Sequence, residues 1–398
     1  MTRNKKIVIV GGIVVLIIGI AVFTFLYQFS APQKTAEEER IVVNLTTTEE
    51  ELIPKLKEQG YIKSEWAFNF VLKVKRWQGK IEPGGYMVSK GMDAWLLADR
   101  LVNHPYQKWV VIPEGLRKEE VAEIVQEKIG WAEVEERRFL SWAKEGYLFP
   151  DTYLLNLDYT GEEVAKRMGN KFNEEVADLF KEAEENNIRN DTLIVIASLV
   201  QREAANEEQM PLIAGVIWNR WLQDMKFEID ATVQYALGEP GNWWKKVKPE
   251  DYEIDSPYNT YLYKGRPPAP ICNPGLAAID AVINSEDSEY LYYLHDSEGQ
   301  IHLAKTYEEH QANIEQYLLE TVTGTITDVA LSAKVITIQN QEGEEISLAI
   351  TKKTALFFVD KQGVKTEVQL KDFQHGDDVT AIGVWTGKNT FIPSTIRK

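Results

Sequence analysis

The sequence predicts a multidomain α+β protein with an N-terminal transmembrane helix. Three observations predict this class: an apolar run near the amino terminus, a long middle part in which helical and strand patterns alternate, and a tail of short β-prone runs separated by glycines and charged turns. The chain has 398 residues, enough for two or three domains with buried cores.

The composition excludes several classes of function. The chain has 44 Lys and Arg against 61 Asp and Glu, a net charge of -17. Nucleic-acid binding is not expected, because neutralising phosphates needs clustered Lys and Arg. The 44% hydrophobic and 26% charged residues are typical of globular protein. The single cysteine, Cys272, excludes an intramolecular disulfide and a thiolate metal cluster.

The amino terminus has the pattern of a membrane anchor. Residues 1–6 are basic, and the apolar run of residues 7–27 is long enough as a helix to cross a bilayer. Because the basic side stays inside, we expect a single-pass protein of the cell membrane with a cytoplasmic amino terminus and an extracytoplasmic remainder. A cleaved signal peptide is the alternative, but residues 29–32 (Phe-Ser-Ala-Pro) make a poor cleavage site.

After a polar linker at residues 28–40, short strands and short helices alternate over residues 41–130. Thr48 followed by three glutamates is typical of a capped helix start. A strand near Trp109 leads into Pro113-Glu114-Gly115 and a further helix. This alternation predicts a small α+β binding module.

Residues 131–320 are predicted to be mainly helical. The pattern is interrupted at 145–153, and a long stretch rich in Gly, Pro, Asn and aromatic residues spans 238–274. Long loops on a helical scaffold commonly line a functional site. A helix over residues 306–319 is expected to close this part.

The sequence pattern of residues 321–398 predicts a separate β unit. Short runs such as Val335–Ile338 and Ile346–Ile350 are separated by turn residues. A five- or six-stranded barrel resembling an OB-type fold is predicted. Its acidic balance argues against oligonucleotide binding and favours a protein-contact or spacer role.

One predicted helix could hold a catalytic acid. In residues 191–205, DTLIVIASLVQREAA, apolar residues recur at helical spacing and Glu203 lies at the edge of the resulting stripe. Partial burial favours the protonated form of a carboxyl group, as a general acid for glycosidic cleavage requires. An ordinary solvated glutamate is the alternative from this helix alone.

The loops downstream are dense in hydroxyl, amide and aromatic side chains, which suit sugar binding better than an apolar cofactor pocket. The five histidines form no HExxH motif, and neither a GxSxG elbow nor a phosphate-binding loop is present. We therefore expect no metal and no cofactor.

Several motifs in a fixed order resemble one family. The motifs are VVIPEGL, GYLFPDTY, IASLVQREA, PLIAGVIWNR, SPYNTY, PPAPICNPGLAAI and KTYEEH. In this order they resemble the endolytic murein transglycosylases (MltG/YceG-like), and the resemblance runs from about Val42 to Leu319. It implies a LysM-like subdomain at 41–130 and a transglycosylase domain at 131–320.

The resemblance also implies the reaction. The substrate would be peptidoglycan glycan strands, cut without water between N-acetylmuramic acid (MurNAc) and N-acetylglucosamine (GlcNAc) to leave 1,6-anhydroMurNAc ends. Such a cut trims or terminates nascent strands. Cell-wall synthases (penicillin-binding proteins) would be partners.

The family motifs place the catalytic acid at Glu203. By their matching motifs, the implied substrate-binding residues are Asp230, Thr232, Gln234, Tyr258, Asn259 and Asn273. The chain departs from the family pattern at Gln201, Ala204, Ala231 and Ala269, which affects substrate preference and rate more than reaction type. A helix or turn cap is the alternative for Asp230, and Trp243 and Trp244 could stack on sugar rings or contact a membrane or a protein.

Three alternative functions remain open at this point. A muramidase-type hydrolase would need a second carboxylate and would release reducing ends. A catalytically silent peptidoglycan-binding scaffold for synthases would bind without product. In the third, the β unit at 321–398 would be the functional part.

Overall fold

A computed structural model describes residues 3–296, 298–352, 354–360, 363–387 and 389–398, with side chains described from residue 11 onward except at 386 and 387. The chain divides into two compact units. The first contains the chain up to Glu203 together with Glu228–Ile283, and the second contains Ala204–Phe227 and Asn284–Lys398. Both combine helices and β-strands, which confirms the predicted α+β class.

The first unit begins with a long helix, α1 (Arg3–Tyr27). Its large apolar side chains from Ile13 to Tyr27 are exposed. Within the part of the chain whose side chains the structure describes, no helix is both long enough and apolar enough to cross a membrane. The side chains of the predicted tail, 1–6, and of the first residues of the predicted span, 7–10, lie outside the described part.

A four-stranded antiparallel sheet follows, in the order β1-β2-β3-β4. Its strands are β1 (Glu39–Val43), β2 (Gly84–Val88), β3 (Gln107–Val111) and β4 (Thr152–Asn156). The last strand comes from the segment predicted only as an interruption between helices. Tyr153 and Leu155 are buried while their neighbours are half-buried, which is the two-residue period of a strand.

Three helices pack with this sheet around the first hydrophobic core: α2 (Glu49–Glu58), α3 (Glu65–Lys75) and α4 (Ala94–Asn103). Each follows a residue whose side chain accepts a hydrogen bond from the N–H three positions later, namely Thr48, Ser64 and Asp93. Leu72 and Leu97 are fully buried at the contact between α3 and α4. The predicted cap at Thr48 is confirmed.

Residues 28–40, predicted as a linker, pack against this core. Phe29 is buried, and its carbonyl accepts a 2.9 Å hydrogen bond from the Ala94 N–H. The Ser89 hydroxyl donates to the Ala36 carbonyl at 2.8 Å. The segment is therefore attached to the first unit at Phe29 and at Ala36.

The remaining helices carry the rest of the first unit. They are α5 (Lys118–Ile129), α6 (Glu133–Trp142), α7 (Gly161–Glu175), α8 (Ala177–Glu185) and α9 (Asn190–Glu203), then, after α10 (Met210–Leu222) of the second unit, α11 (Asp230–Leu237) and α12 (Leu276–Ile283). Every residue from Leu193 to Val200 is buried. The predicted apolar stripe of α9 is therefore buried, and the burial extends around the helix because α8, α11 and α12 all pack against it.

The second unit contains α10 and a hairpin, β5 (Tyr292–His295) and β6 (Ile301–Ala304). The Asn219 amide on α10 donates to the carbonyls of Ser288 and Tyr290, which ties the helix to the entry of the hairpin. The helix predicted over 306–319 is shorter: α13 (Tyr307–Asn313) continues as a π-helical turn, Ile314–Leu318.

The tail forms a seven-stranded sheet. Its strands are β7 (Glu320–Ala330), β8 (Val335–Gln339), β9 (Glu345–Ala349), β10 (Ala355–Val359), β11 (Lys365–Glu367), β12 (Asp378–Gly387) and β13 (Thr390–Arg397). Five of them close into a ring, because β13 pairs with both β12 and β9 and the path β12-β7-β8-β9 completes the circle. Ile326, Leu348 and Phe391 are fully buried within it.

Candidate active site

All seven sequence-predicted site residues lie in the first unit. The end of α9 carries Glu203, α11 carries three more, and the loops at 252–263 and 267–275 carry the others. These segments are joined by side-chain hydrogen bonds. They form two neighbouring clusters, one at the end of α9 and one beneath the 252–263 loop.

Glu203 is the last residue of α9 and is half-buried. The eight buried residues 193–200 fix the helix before it, so Glu203 sits on a rigid element.

The two residues before Glu203 fasten the end of α9. The Gln201 side-chain oxygen accepts a 2.9 Å hydrogen bond from the Gly275 N–H. The Arg202 guanidinium donates to the Gly115 carbonyl at 3.4 Å and lies 3.8 Å from the centroid of the Trp244 ring. Three separate loops therefore meet at the end of this helix.

The Pro-Glu-Gly segment places a second carboxylate in the same area. A methyl group added at Gly275 would overlap the Glu114 carboxylate, so Glu114 lies directly over that glycine. Its side chain is exposed. Glu114 thus borders the same surface as Gln201 and the end of α9.

The loop at 267–275 is anchored to the buried part of α9. The Ser198 hydroxyl accepts from the Ile271 N–H at 3.0 Å, and the Cys272 thiol donates to the Ser198 carbonyl at 3.3 Å. Cys272 is fully buried, and burial raises the pKa of its thiol well above the usual value. The lone cysteine is a packed loop residue.

Asn273 connects this loop to a buried glutamate. Its amide donates to the Leu116 carbonyl at 2.9 Å and to a Glu145 oxygen at 3.2 Å, while its side-chain oxygen accepts from the Leu148 N–H at 2.9 Å. Asn273 is fully buried with all of these groups paired. These bonds hold the 267–275 loop to the scaffold, and contact of Asn273 with substrate stays a prediction.

Glu145 is a buried carboxyl group with a strongly raised pKa. Burial, reinforced by the nearby Glu119 carboxylate, raises its pKa to about 8. Its oxygens accept hydrogen bonds from the Lys118 N–H at 3.0 Å and the Tyr235 hydroxyl at 3.3 Å. At neutral pH this acid holds its proton inside the scaffold.

Tyr235 extends this network to a predicted site residue. Its ring lies 4.7 Å from that of Tyr258, and the two side chains are hydrogen-bonded. Burial and the neighbouring Glu145 raise the pKa of Tyr235. The Arg117 guanidinium covers the Tyr235 ring at 4.1 Å and donates to its carbonyl at 3.1 Å. Tyr258 is half-buried and is the outer end of this chain of groups.

The paired tryptophans hold a loop in place. The Trp243 indole N–H donates to Glu123 at 3.0 Å, and that of Trp244 donates to Glu120 at 2.8 Å. Both acceptors lie on α5, and Arg117 covers the Trp243 ring at 4.7 Å. These contacts favour a loop-anchoring role over sugar stacking for the pair.

Asp230 organises the second cluster. Its carboxylate accepts hydrogen bonds from the hydroxyls of Tyr261 at 2.6 Å and Tyr252 at 3.1 Å. Burial and the Asp230 charge raise the pKa of Tyr252 to about 12. Asp230 is the first residue of α11 rather than its cap, and its side chain is exposed. The cap alternative is thus excluded, and the residue remains accessible to a ligand.

Two of the predicted sugar contacts are inside the protein. Thr232 is fully buried and bonds to the Ile229 carbonyl and the Thr260 hydroxyl, at 2.7 and 3.0 Å. Asn259 is fully buried and its amide donates to the carbonyls of Tyr252 and Ile254. Their polar groups are used to shape the loop, and direct contact of these two residues with substrate stays a prediction. Gln234 is half-buried and donates to the Lys245 carbonyl at 3.1 Å.

Several site residues were missed from the sequence: Glu114, Arg117, Glu145, Arg202 and Tyr235. Glu145 directly precedes the GYLFPDTY motif, and Gly146 has a left-handed backbone with φ 82°. A glutamate before a glycine turn in an aromatic-rich motif was the available signal. Its burial depends on Asn273, more than a hundred residues away in sequence, which no local pattern contains.

The model of the YceG-like family matches residues 41–316, which is well over half of the chain. The chain belongs to the YceG-like family. This YceG-like chain is 31% identical over 327 residues to a protein of Bacillus subtilis (strain 168) named endolytic murein transglycosylase, covering 74% of the chain and 90% of that protein.

A second relative, from Streptococcus pneumoniae serotype 2 (strain D39 / NCTC 7466), has the same name. It is 28% identical over 311 residues, and the match covers 68% of this YceG-like chain and 56% of the pneumococcal protein. A crystal structure of a YceG-like protein of Listeria monocytogenes superposes with a TM-score of 0.51 at 24% identity, covering 69% of this chain and 98% of the other. That likeness supports the fold.

Proposed function

We propose that this chain is a peptidoglycan lytic transglycosylase that cuts the MurNAc-GlcNAc bond and leaves 1,6-anhydroMurNAc ends. The observation that carries the proposal is the position of Glu203. Glu203 is the last residue of a buried helix and is itself half-buried. The two residues before it, Gln201 and Arg202, tie the end of that helix to three loops. The relatives that match most of this chain are named for the same activity.

In the proposed reaction one carboxyl group performs both proton transfers. Protonated Glu203 donates to the glycosidic oxygen as the bond from that oxygen to MurNAc C1 breaks. The C6 hydroxyl of the same sugar bonds to C1, and its proton passes to the Glu203 carboxylate. No water is consumed, and the acid is regenerated.

We assign roles to the residues around Glu203 according to how far each side chain is exposed to solvent. Among the predicted contacts, Asp230 is exposed, whereas Tyr258 and Gln234 are both half-buried. Thr232, Asn259 and Asn273 would act by holding loops in place. Glu145, neutral and buried, would hold Asn273 and Tyr235 without contacting substrate.

The test is product formation by the full-length protein in detergent with purified peptidoglycan. We expect anhydro ends by mass spectrometry, and a loss of at least 100-fold with Glu203→Gln, in line with removal of a general acid. Glu207→Gln is the matched control, since Glu207 is exposed and only four residues further along the chain. Full activity of Glu203→Gln would overturn the assignment.

A hydrolase is the second candidate, and one observation favours it. Glu114 supplies a second carboxylate over Gly275, near the end of α9. A hydrolase needs such a group about 5–9.5 Å from the acid. Reducing ends from the wild type, lost in Glu114→Gln, would establish this activity. A silent scaffold would instead bind glycan strands without releasing any product.

We also propose the membrane attachment that the amino terminus predicts. Residues 7–27 would span the cell membrane once, with residues 1–6 in the cytoplasm and the catalytic part outside. Support comes from the continuous helix α1 and the exposed apolar side chains of its described part. Protease digestion of intact cells and spheroplasts tests it, because only an extracytoplasmic catalytic part is cut.

We also propose roles for two parts of the chain outside the catalytic region. Residues 41–130 would be a LysM-like glycan-binding subdomain, and the ring of five strands in 321–398 would be an OB-like spacer or protein-contact module. Penicillin-binding synthases are the proposed partners. Activity of a chain lacking 321–398 would separate the β unit from catalysis, and copurification with synthases would test the partner.

A further inference from the structure

A cluster of aromatic side chains surrounds the point where α1 ends. The ring of Phe29 lies 5.9 Å from that of Trp66, 5.7 Å from Phe70 and 6.1 Å from Trp95. Trp66 and Phe70 come from α3, and Trp95 comes from α4. We call Trp66, Phe70 and Trp95 the aromatic collar.

The collar is open to the surroundings although it packs on a buried residue. Phe29 is 7% exposed, whereas Trp66 is 54%, Phe70 38% and Trp95 36% exposed. Val74, one turn beyond Phe70 on the same face of α3, is 54% exposed. A contiguous apolar patch of this kind marks an interaction surface rather than ordinary protein exterior.

The collar is continuous with the exposed apolar side chains of α1. The ring of Phe25 lies 5.4 Å from Trp66 and 5.2 Å from Phe29. The Lys63 ammonium, on the collar side, donates to the Ser30 hydroxyl at 2.8 Å and lies 3.6 Å from the centroid of the Tyr27 ring. Any surface or molecule that contacts the end of α1 therefore also contacts the aromatic collar.

The segment that carries Trp66 and Phe70 has a net charge of the opposite sign to that of the whole chain. Residues 63–80 contain five Lys and Arg side chains and a single acid, Glu65, in a chain of net charge -17. The Lys75 ammonium lies 6.0 Å from the centroid of the Trp95 ring. Basic residues next to aromatic ones suit an anionic surface.

We propose that the aromatic collar binds the headgroup region of an anionic phospholipid bilayer. The inference rests on the proposed anchoring by residues 7–27 and adds to it a second contact, made by α3 and α4. Trp is favoured at the membrane interface, where its apolar ring and polar N–H are both accommodated, and lysine ammonium groups bind lipid phosphates. The first core is then held at the bilayer surface, not at the end of a free tether.

The test measures the depth of a label beside the collar. Val74→Cys places a thiol at its edge without removing an aromatic ring, and Val134→Cys on α6, 50% exposed, is the matched control. The native Cys272 is fully buried and does not compete for a spin label. Each full-length variant is reconstituted into vesicles of phosphatidylethanolamine and phosphatidylglycerol, and its label is exposed to oxygen and to a water-soluble nickel chelate.

We expect the label at position 74 to be at least threefold less accessible to the nickel chelate than the label at 134, and more accessible to oxygen. Replacing Trp66 and Phe70 by Ser should abolish this difference while the protein still floats with the vesicles.

Equal nickel access at 74 and 134 in floating protein would overturn the collar contact and leave the anchor intact. Dipolar broadening between labels at 74 would identify a second copy as the occupant and overturn it too. Protein that does not float would overturn anchor and collar together.

Discussion

The Arg202 guanidinium lies over the Trp244 ring, with 3.8 Å between its central carbon and the ring centroid. Arg202 immediately precedes the proposed acid, Glu203, and the Trp244 N–H is bonded to Glu120 on α5 at 2.8 Å. The end of α9 is thereby connected through one indole ring to α5. The position of the acid depends on this loop contact as well as on its own helix.

Removal of the Trp244 ring should therefore reduce catalysis without unfolding the protein. A cation–π contact contributes about 0.5–2 kcal/mol, so Trp244→Ala is expected to lower kcat by roughly 3- to 30-fold with a smaller change in KM. Trp244→Phe keeps a ring and should recover part of the rate. Steady-state kinetics on a defined glycan strand provide the measurement.

Trp142 supplies the matched control for that experiment. It is an exposed tryptophan on α6 with the Lys166 ammonium 4.5 Å from its ring centroid, a comparable pair outside the site. Trp142→Ala should leave kcat unchanged. Equal effects of the two substitutions would remove the special role of Trp244.

The buried Glu145 predicts a dependence of stability on pH. Its pKa is about 8 in the folded chain against an ordinary value of 4.5, so the folded state binds the proton more tightly. This stabilisation is complete below about pH 4.5 and is lost as the pH rises through about 8. Relative to Glu145→Gln, the wild type should lose on the order of 2–4 kcal/mol of unfolding free energy between about pH 5 and pH 8.

Denaturant unfolding at a series of pH values measures this difference. Glu185→Gln, at an exposed position ending α8, is the control and should follow the wild type at every pH. A wild-type curve parallel to that of Glu145→Gln would mean that Glu145 titrates normally.

The limits of sequence reasoning are visible in these same residues. Caps such as Thr48 were identified because their partners lie three residues away. Glu145 was missed because its burial and its partners, Asn273 and Tyr235, come from distant segments. Glu203 was proposed from helical spacing and from a motif, which are both local in sequence. The residues that surround it come from distant segments and were not predicted.

The resemblance to the family motifs predicted Thr232 and Asn259 as substrate contacts, but a motif does not show which of its residues will be buried. The folded loop buries both and uses their groups to satisfy backbone carbonyls, as buried polar groups require. Strand β4 was missed for a similar reason, since its identity depends on pairing with β3.

The turn after Glu145 should tolerate no side chain. Gly146 has φ 82°, and an added Cβ would come within 2.5 Å of the Pro270 ring. Gly130 has φ 78° but no atom within 4 Å of such a Cβ. Gly130→Ala should cost about 1–2 kcal/mol from backbone strain alone, and Gly146→Ala roughly 1–3 kcal/mol more. Chemical denaturation distinguishes the two contributions, and equal costs would exclude the Pro270 contact.

Asp230 should order the loop that its two tyrosines belong to. Asp230→Ala removes the acceptor of the Tyr252 and Tyr261 hydroxyls, and we expect amide exchange over residues 249–263 to accelerate about tenfold. Glu253→Ala, at an exposed position of the same loop, should change little. Identical exchange in both variants would show that the tyrosines hold the loop without Asp230.

The central claim is that Glu203 serves as the only acid and base and that a sugar hydroxyl, not water, attacks the broken bond. The most direct measurement is cleavage of purified glycan strands in water enriched in oxygen-18, with mass spectrometry of the new ends. The account predicts anhydro ends that contain no oxygen-18. Reducing ends that carry one oxygen-18 atom each would contradict it.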